Sequence, residues 1–167
     1  MNKSLGFYSL RYAMYYVIVV VAVFVIAFCL YRFLPDIAES IFSGGGGTGV
    51  SVVSVILPPM LVAQLFYKHE VRRMTGGEGW MLAFVFTVLA FVLSAATLWI
   101  GIILQPLAEY EAAGLLSLWN EERDILLIVA AVTAVVLILI NKLMLWSGVR
   151  GSIKQEERLA AKQARKG

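Results

Sequence analysis

The chain has 167 residues, 60% of them hydrophobic and 15% charged, with a formal net charge of +3. Water-soluble domains run about 45–50% apolar and about 25% charged, so this composition excludes an ordinary soluble fold, and no nucleic-acid partner is expected. The single cysteine, Cys29, excludes an intramolecular disulfide. The single histidine, His69, argues against a zinc site made by the protein alone.

The apolar residues come in four blocks, each close to the roughly 20 residues that cross a bilayer. The first is Tyr12–Leu34, preceded by Lys3 and Arg11. It has no charge from Tyr12 to Leu30, too long a run for the 7–15-residue core of a cleaved signal, so a retained helix is expected. Tyr8, Tyr12, Tyr15 and Tyr16 at one end, with Tyr31 and Phe33 at the other, read as interfacial belts.

After Asp36 and Glu39 comes FSGGGGTGVS, residues 42–51. Gly44, Gly46 and Gly49 fit G-x-G-x-x-G, and Gly44, Gly49 and Ser51 fit a P-loop in which Val50 replaces the lysine. Both nucleotide fingerprints need a preceding strand, and none is predicted here. The run reads as a hinge into the second block, and no nucleotide is expected. Gly45-x-x-x-Gly49 suits a close helix approach.

The second block is Val50–Tyr67. Ser51 and Ser54 begin it, and Pro58-Pro59 remove two backbone donors from its middle, so a kink is expected. Gln64, near its end, is expected to hydrogen-bond across helices, as is Asn141 in the fourth block. A loop with Lys68, Arg72 and Arg73 follows. Within it, Thr75-x-x-Glu78 just before Trp80 predicts a capping box at the start of the third helix.

The third block, Trp80–Leu104, carries Ala83, Thr87, Ala90, Ser94, Thr97 and Gly101, spaced four, three, four, three and four. That is one seam of small residues on one helix face, the kind of surface that packs against protein, while bulky neighbours such as Leu89 are expected nearer lipid. The loop Gln105–Arg123 predicts a short interfacial helix, and Asn120 with Glu121 and Glu122 a start for the last helix. The fourth block is Ile125–Trp146, with Lys142 near enough to its end to snorkel.

Charge orients these blocks. Lys3, Arg11, Lys68, Arg72, Arg73 and the tail cations from Arg150 to Lys166 fall on one side, whereas Asp36, Glu39, Glu109, Glu111, Glu121, Glu122 and Asp124 fall on the other, with Arg32 and Arg123 as its only cations. The positive-inside rule then puts both termini in the cytoplasm. The expected fold is an all-α membrane protein: a four-transmembrane-helix bundle over residues 1–149, with spans at 12–34, 50–67, 80–104 and 125–146, and a basic cytoplasmic tail over 150–167.

The stretch AQLFYKHEVRRMTGGEGWMLA, Ala63 to Ala83, carries a resemblance. Ala63, Gln64, Phe66, Lys68, Arg72, Thr75, Glu78, Trp80 and Leu82 match the loop of the ABZJ family, small four-span inner-membrane proteins of proteobacteria. The sequence departs from that pattern at Val71 and Met74, where the family commonly has Gly and Pro. The resemblance implies a bacterial inner-membrane location and the four-span layout, and it brings no substrate or reaction.

The interior of the blocks holds no Asp, Glu, Lys, Arg or His. Such residues mark proton relays and ion pathways because each costs at least about 2.5–3.5 kcal/mol at mid-membrane. The reading is therefore a non-enzymatic accessory or interaction protein without cofactor or metal, whose partners are the lipid bilayer and a membrane protein or a second copy. Two alternatives stand beside it: an immunity-type protective membrane protein, and a small transporter of neutral solutes using Ser51, Ser54, Gln64, Thr87 and Ser94.

Overall fold

The computed structural model describes residues 3–41, 47–104 and 123–165. These form five helices and no strand: α1 (Leu5–Phe33), α2 (Pro35–Ile41), α3 (Gly47–Glu70), α4 (Gly76–Leu104) and α5 (Arg123–Ala164). The helices α1, α4 and α5 are long and apolar enough to cross a membrane.

Local chemistry sets the boundaries. Helix α1 begins at Leu5, seven residues before the predicted block, because the Ser4 hydroxyl accepts from the Phe7 amide at 3.3 Å and caps it. It ends at Phe33, because the next residue, Leu34, precedes Pro35 and is driven out of the helical region by the proline ring. Pro35 then opens the unpredicted helix α2, at the position where a missing amide costs least. Helix α3 starts at Gly47, so the last three glycine-run residues before Val50 belong to its first turn instead of a hinge; Gly44, Gly45 and Gly46 lie outside the described residues. It runs as one helix through Pro58 and Pro59, both fully buried.

The stretch of the expected tail continues the last helix as far as Ala164. Helix α5 runs unbroken for 42 residues, about 63 Å at 1.5 Å per residue, far beyond a bilayer's hydrocarbon thickness. The Tyr67 hydroxyl donates to Glu156 and ties this extension to the end of α3. The predicted interfacial helix in 105–122 and the cap at Asn120 lie outside the described residues.

The long helices pack as a ring in the order α1, α3, α5, α4. Helices α3 and α4 are joined by only five residues, yet each packs mainly on α1 and α5. The antiparallel runs bring the start of α1, the α3–α4 loop and the extension of α5 to one end, called here the basic end. The core sits near it: Tyr8, Tyr12, Val62, Phe66, Leu82, Phe86 and Leu145 are buried together.

Candidate functional site

Tyr8, Tyr12 and Tyr16 were expected to mark an interface, but they are buried. Their spacing of four puts them on one face of α1, and that face turns inward. Tyr8 packs on Phe66 of α3 with ring centroids 5.4 Å apart, and Tyr12 stacks on Phe86 of α4 at 4.3 Å and 14°. The Tyr16 hydroxyl and Ser94 Oγ share a hydrogen bond of 2.8 Å. A belt and a packed stripe use the same residue types, and only the i, i+4 spacing distinguishes them.

The predicted seam on α4 divides along its length. Ala83, Thr87 and Ala90 are buried. Ser94 is largely exposed apart from its bond to Tyr16, and Thr97 is half-buried with its hydroxyl on the Leu93 carbonyl at 2.8 Å. The surroundings of Gly101 lie outside the description. Leu89 is half-buried against the core, not turned to lipid as expected, because it adjoins the Ala90 face.

The buried seam centres on a polar contact. The Thr87 hydroxyl donates to the Ala83 carbonyl at 2.9 Å and accepts from Asn141 Nδ2 of α5 at 3.0 Å. Asn141 thus joins two helices as expected, whereas Gln64 is exposed and stays out of that contact. Ser54 is half-buried on α3, one turn before the two buried prolines.

At the basic end the capping box forms as read. Glu78 accepts from the Thr75 amide at 3.0 Å, and the Glu78 amide donates to Thr75 Oγ1 at 3.4 Å. Arg72 adds a two-pronged hold on Glu78, Nη1 at 3.0 Å and Nη2 at 2.6 Å. Glu78 precedes the apolar stretch that begins at Trp80, outside the span. The Arg72 hydrogen bonds, opposed by partial burial and helped by Thr75, pull its carboxyl from the ordinary 4.5 down to about 2.

Glu70 was not singled out from the sequence, and it is the hub of this end. An acid at a helix C-terminus faces the negative end of the dipole and needs other partners. Its side chain is buried and accepts from the Lys3 amide at 3.2 Å and the Tyr8 hydroxyl at 3.3 Å, with Arg72 Nη2 at 3.5 Å. These partners lie up to 67 residues away, so no local pattern could have pointed to them.

A second missed residue is Gly148 on α5. A Cβ there would lie 2.6 Å from Ala63 Cβ and 2.8 Å from the Met60 carbonyl oxygen, so only glycine allows this approach of α5 to α3. Lys142 does more than snorkel: its ammonium sits 3.3 Å from the centroid of the Trp80 ring.

Among the described residues no group of three or more His, Cys, Asp or Glu side chains is gathered to hold a metal. Compared with protein families, curated proteins and solved structures, the chain matches none.

Proposed function

We propose that the chain is a four-span protein of the bacterial inner membrane, with both termini cytoplasmic, that acts by contact with a membrane protein or a second copy and not by chemistry of its own. The four-span reading is supported by the meeting of the α1 start, the α3–α4 loop and the α5 extension at one end. If α1, α4 and α5 each cross, the chain has to return between α1 and α4. The 24 residues of α3 reach about 36 Å, enough for that return. The cations Lys3, Arg11, Lys68, Arg72, Arg73 and Arg150 gather at this end, which favours the cytoplasmic side for it. The inner-membrane location also draws on the ABZJ-like loop.

The observation that carries the contact reading is how the polar groups of the packed half are used. Thr87 is bonded to Asn141, Tyr16 to Ser94, and Glu78 to both Thr75 and Arg72, each a structural use of the group. Meanwhile the other half offers apolar flanks such as Phe24, Phe28 and Trp99. A transporter of neutral solutes is the second reading. It draws on Tyr12 Oη and Asn141 Oδ1, which are buried without a hydrogen-bond partner among the described residues.

The test is reconstitution of the purified protein in vesicles. The contact reading expects no nucleotide hydrolysis, no proton-driven uptake and no ion conductance. Solute flux abolished by Ser54→Leu or Gln64→Leu in a folded protein would overturn it and favour the transporter.

A further inference from the structure

Between the α3–α4 loop and α5, at the basic end, lies an open cleft of about 520 Å³. Arg73 enters it from the loop, and Arg150 and Lys154 from α5. One wall is apolar, made by Trp146, Val149 and Ile153. The helix repeat explains the layout: Trp146, Arg150 and Lys154 recur every four residues on one face, with Val149 and Ile153 on the adjoining face toward the core.

The three cations differ from their neighbour Arg72, which is bound to Glu78 and Glu70. Among the described residues, none of Arg73, Arg150 and Lys154 forms an ion pair with a carboxylate. Arg150 instead lies over the Trp146 ring at 4.9 Å, which holds it at the cleft. Glu157 is the one acid in the lining, so the cleft keeps an excess of two positive charges (three cations less one carboxylate).

Trp146 ends the apolar stretch of α5, and Arg150 and Lys154 follow one and two turns beyond it. That is the depth of lipid headgroups. We infer that this cleft is a binding site for an anionic phospholipid, with the phosphate between Arg73, Arg150 and Lys154 and the glycerol and upper acyl chain running back toward the membrane along Val149 and Trp146. Guanidinium groups suit phosphate because they offer paired donors, and the apolar wall adds a contact that a free ion does not use. The inference rests on the membrane reading above.

The protein is first tested for carbonate extraction from membranes. Release by carbonate would overturn the membrane reading and the lipid site with it. For retained protein, thermal unfolding in mild detergent is followed during titration with phosphatidylglycerol, phosphatidylcholine or inorganic phosphate. The expected result is a saturable rise in Tm with phosphatidylglycerol alone. Arg73→Gln with Arg150→Gln is expected to weaken its binding about 25-fold, about fivefold for each lost cation, the equivalent of about 1 kcal/mol each. Lys154→Gln, at an exposed position, gives the fivefold step by itself should the double variant fail to fold. Lys162→Gln, farther along α5, leaves binding unchanged. Equal effects of phosphatidylcholine and phosphatidylglycerol, an equal effect of inorganic phosphate, or wild-type affinity in both Lys154→Gln and the double variant would each overturn the site while leaving the membrane reading intact.

Discussion

The same helices are built differently at their two ends. Near the basic end Tyr8, Phe66, Phe86 and Leu145 are at most 1% exposed, whereas Phe24, Phe28, Trp99 and Ile128 toward the other end are 64–70% exposed. Hydropathy does not separate the two groups, since both are strongly apolar. What differs is the means of holding helices together. In lipid no hydrophobic force draws apolar flanks to each other, so association depends on close packing, small residues and hydrogen bonds. The basic half has them: Gly148 against Ala63, Ala83 and Ala90 in the seam, and Thr87 bonded to Asn141. The exposed stretch of α5, Ile125 to Val136, offers mostly branched aliphatic surface, which suits lipid tails.

That contrast can be broken by substitutions matched between the halves. The largest effect is expected from Ala90→Phe, because a ring has to enter a site only 4% exposed. Overpacking costs typically about 1–3 kcal/mol and occasionally more, and this change belongs at the top of that range. Val88→Phe on the same helix, 47% exposed, is expected to be near neutral. Thermal unfolding in detergent measures both, and equal tolerance would mean that the buried seam is not a packing surface.

Next comes Gly148→Ala. A lone glycine-to-alanine change in a helix ordinarily gains about 1 kcal/mol, but here the added carbon meets the Met60 backbone at 2.8 Å. A net loss of about 1–3 kcal/mol is expected, measured as a lower unfolding midpoint. A gain in stability would mean that α3 and α5 do not approach so closely.

The cap at α4 ranks third. Thr75→Ala is expected to cost about 0.5–2 kcal/mol and Thr75→Ser little, as judged by unfolding midpoints. Glu78 gives the same feature a pH signature. Its folded pKa lies below the ordinary value, so its contribution is complete above about pH 5 and is lost as pH falls through about 2. Glu78→Gln is expected to lower stability at neutral pH and to flatten that acid limb; an unchanged acid limb would contradict the pairing with Arg72.

The smallest effect is expected with opposite sign. Val71 ends α3 with φ at 49°, its amide bonded to the Tyr67 carbonyl at 2.8 Å. A β-branched residue is strained in this left-handed conformation, whereas glycine is not. Val71 is 70% exposed, so little burial is lost on its removal. Val71→Gly is expected to stabilise by about 1 kcal/mol, seen as a raised unfolding midpoint, and a fall would mean that Val71 contributes a contact outweighing its strain.

What was legible in the sequence follows the range of each interaction. The capping box was legible because Thr75, Glu78 and the helix start are neighbours in the chain. The apolar blocks at α1, α4 and α5 were legible because length and composition alone mark them. Thr87 and Ala90 stood out by periodicity, yet that same periodicity extended the seam through Ser94, beyond the part that is buried. Gly148 was missed because one glycine in an apolar run has no pattern, and its reason lies on another helix. Glu70 was missed because Tyr8 and Lys3 approach it only after the chain has folded. The tyrosines of α1 were assigned by residue type when their spacing held the better information.

The central claim is that α3 is a crossing in its own right, so that the packed basic half faces the cytoplasm from both termini. Reporter fusions test it most directly, with alkaline phosphatase active outside the membrane and a fluorescent protein active inside. Fusions after Gly46 and Gly114 are expected to report the periplasm, and fusions after Gly77 and Gly167 the cytoplasm. A periplasmic signal at Gly167, or the same side for Gly46 and Gly77, would leave an odd number of crossings or a non-crossing α3 and would contradict the account.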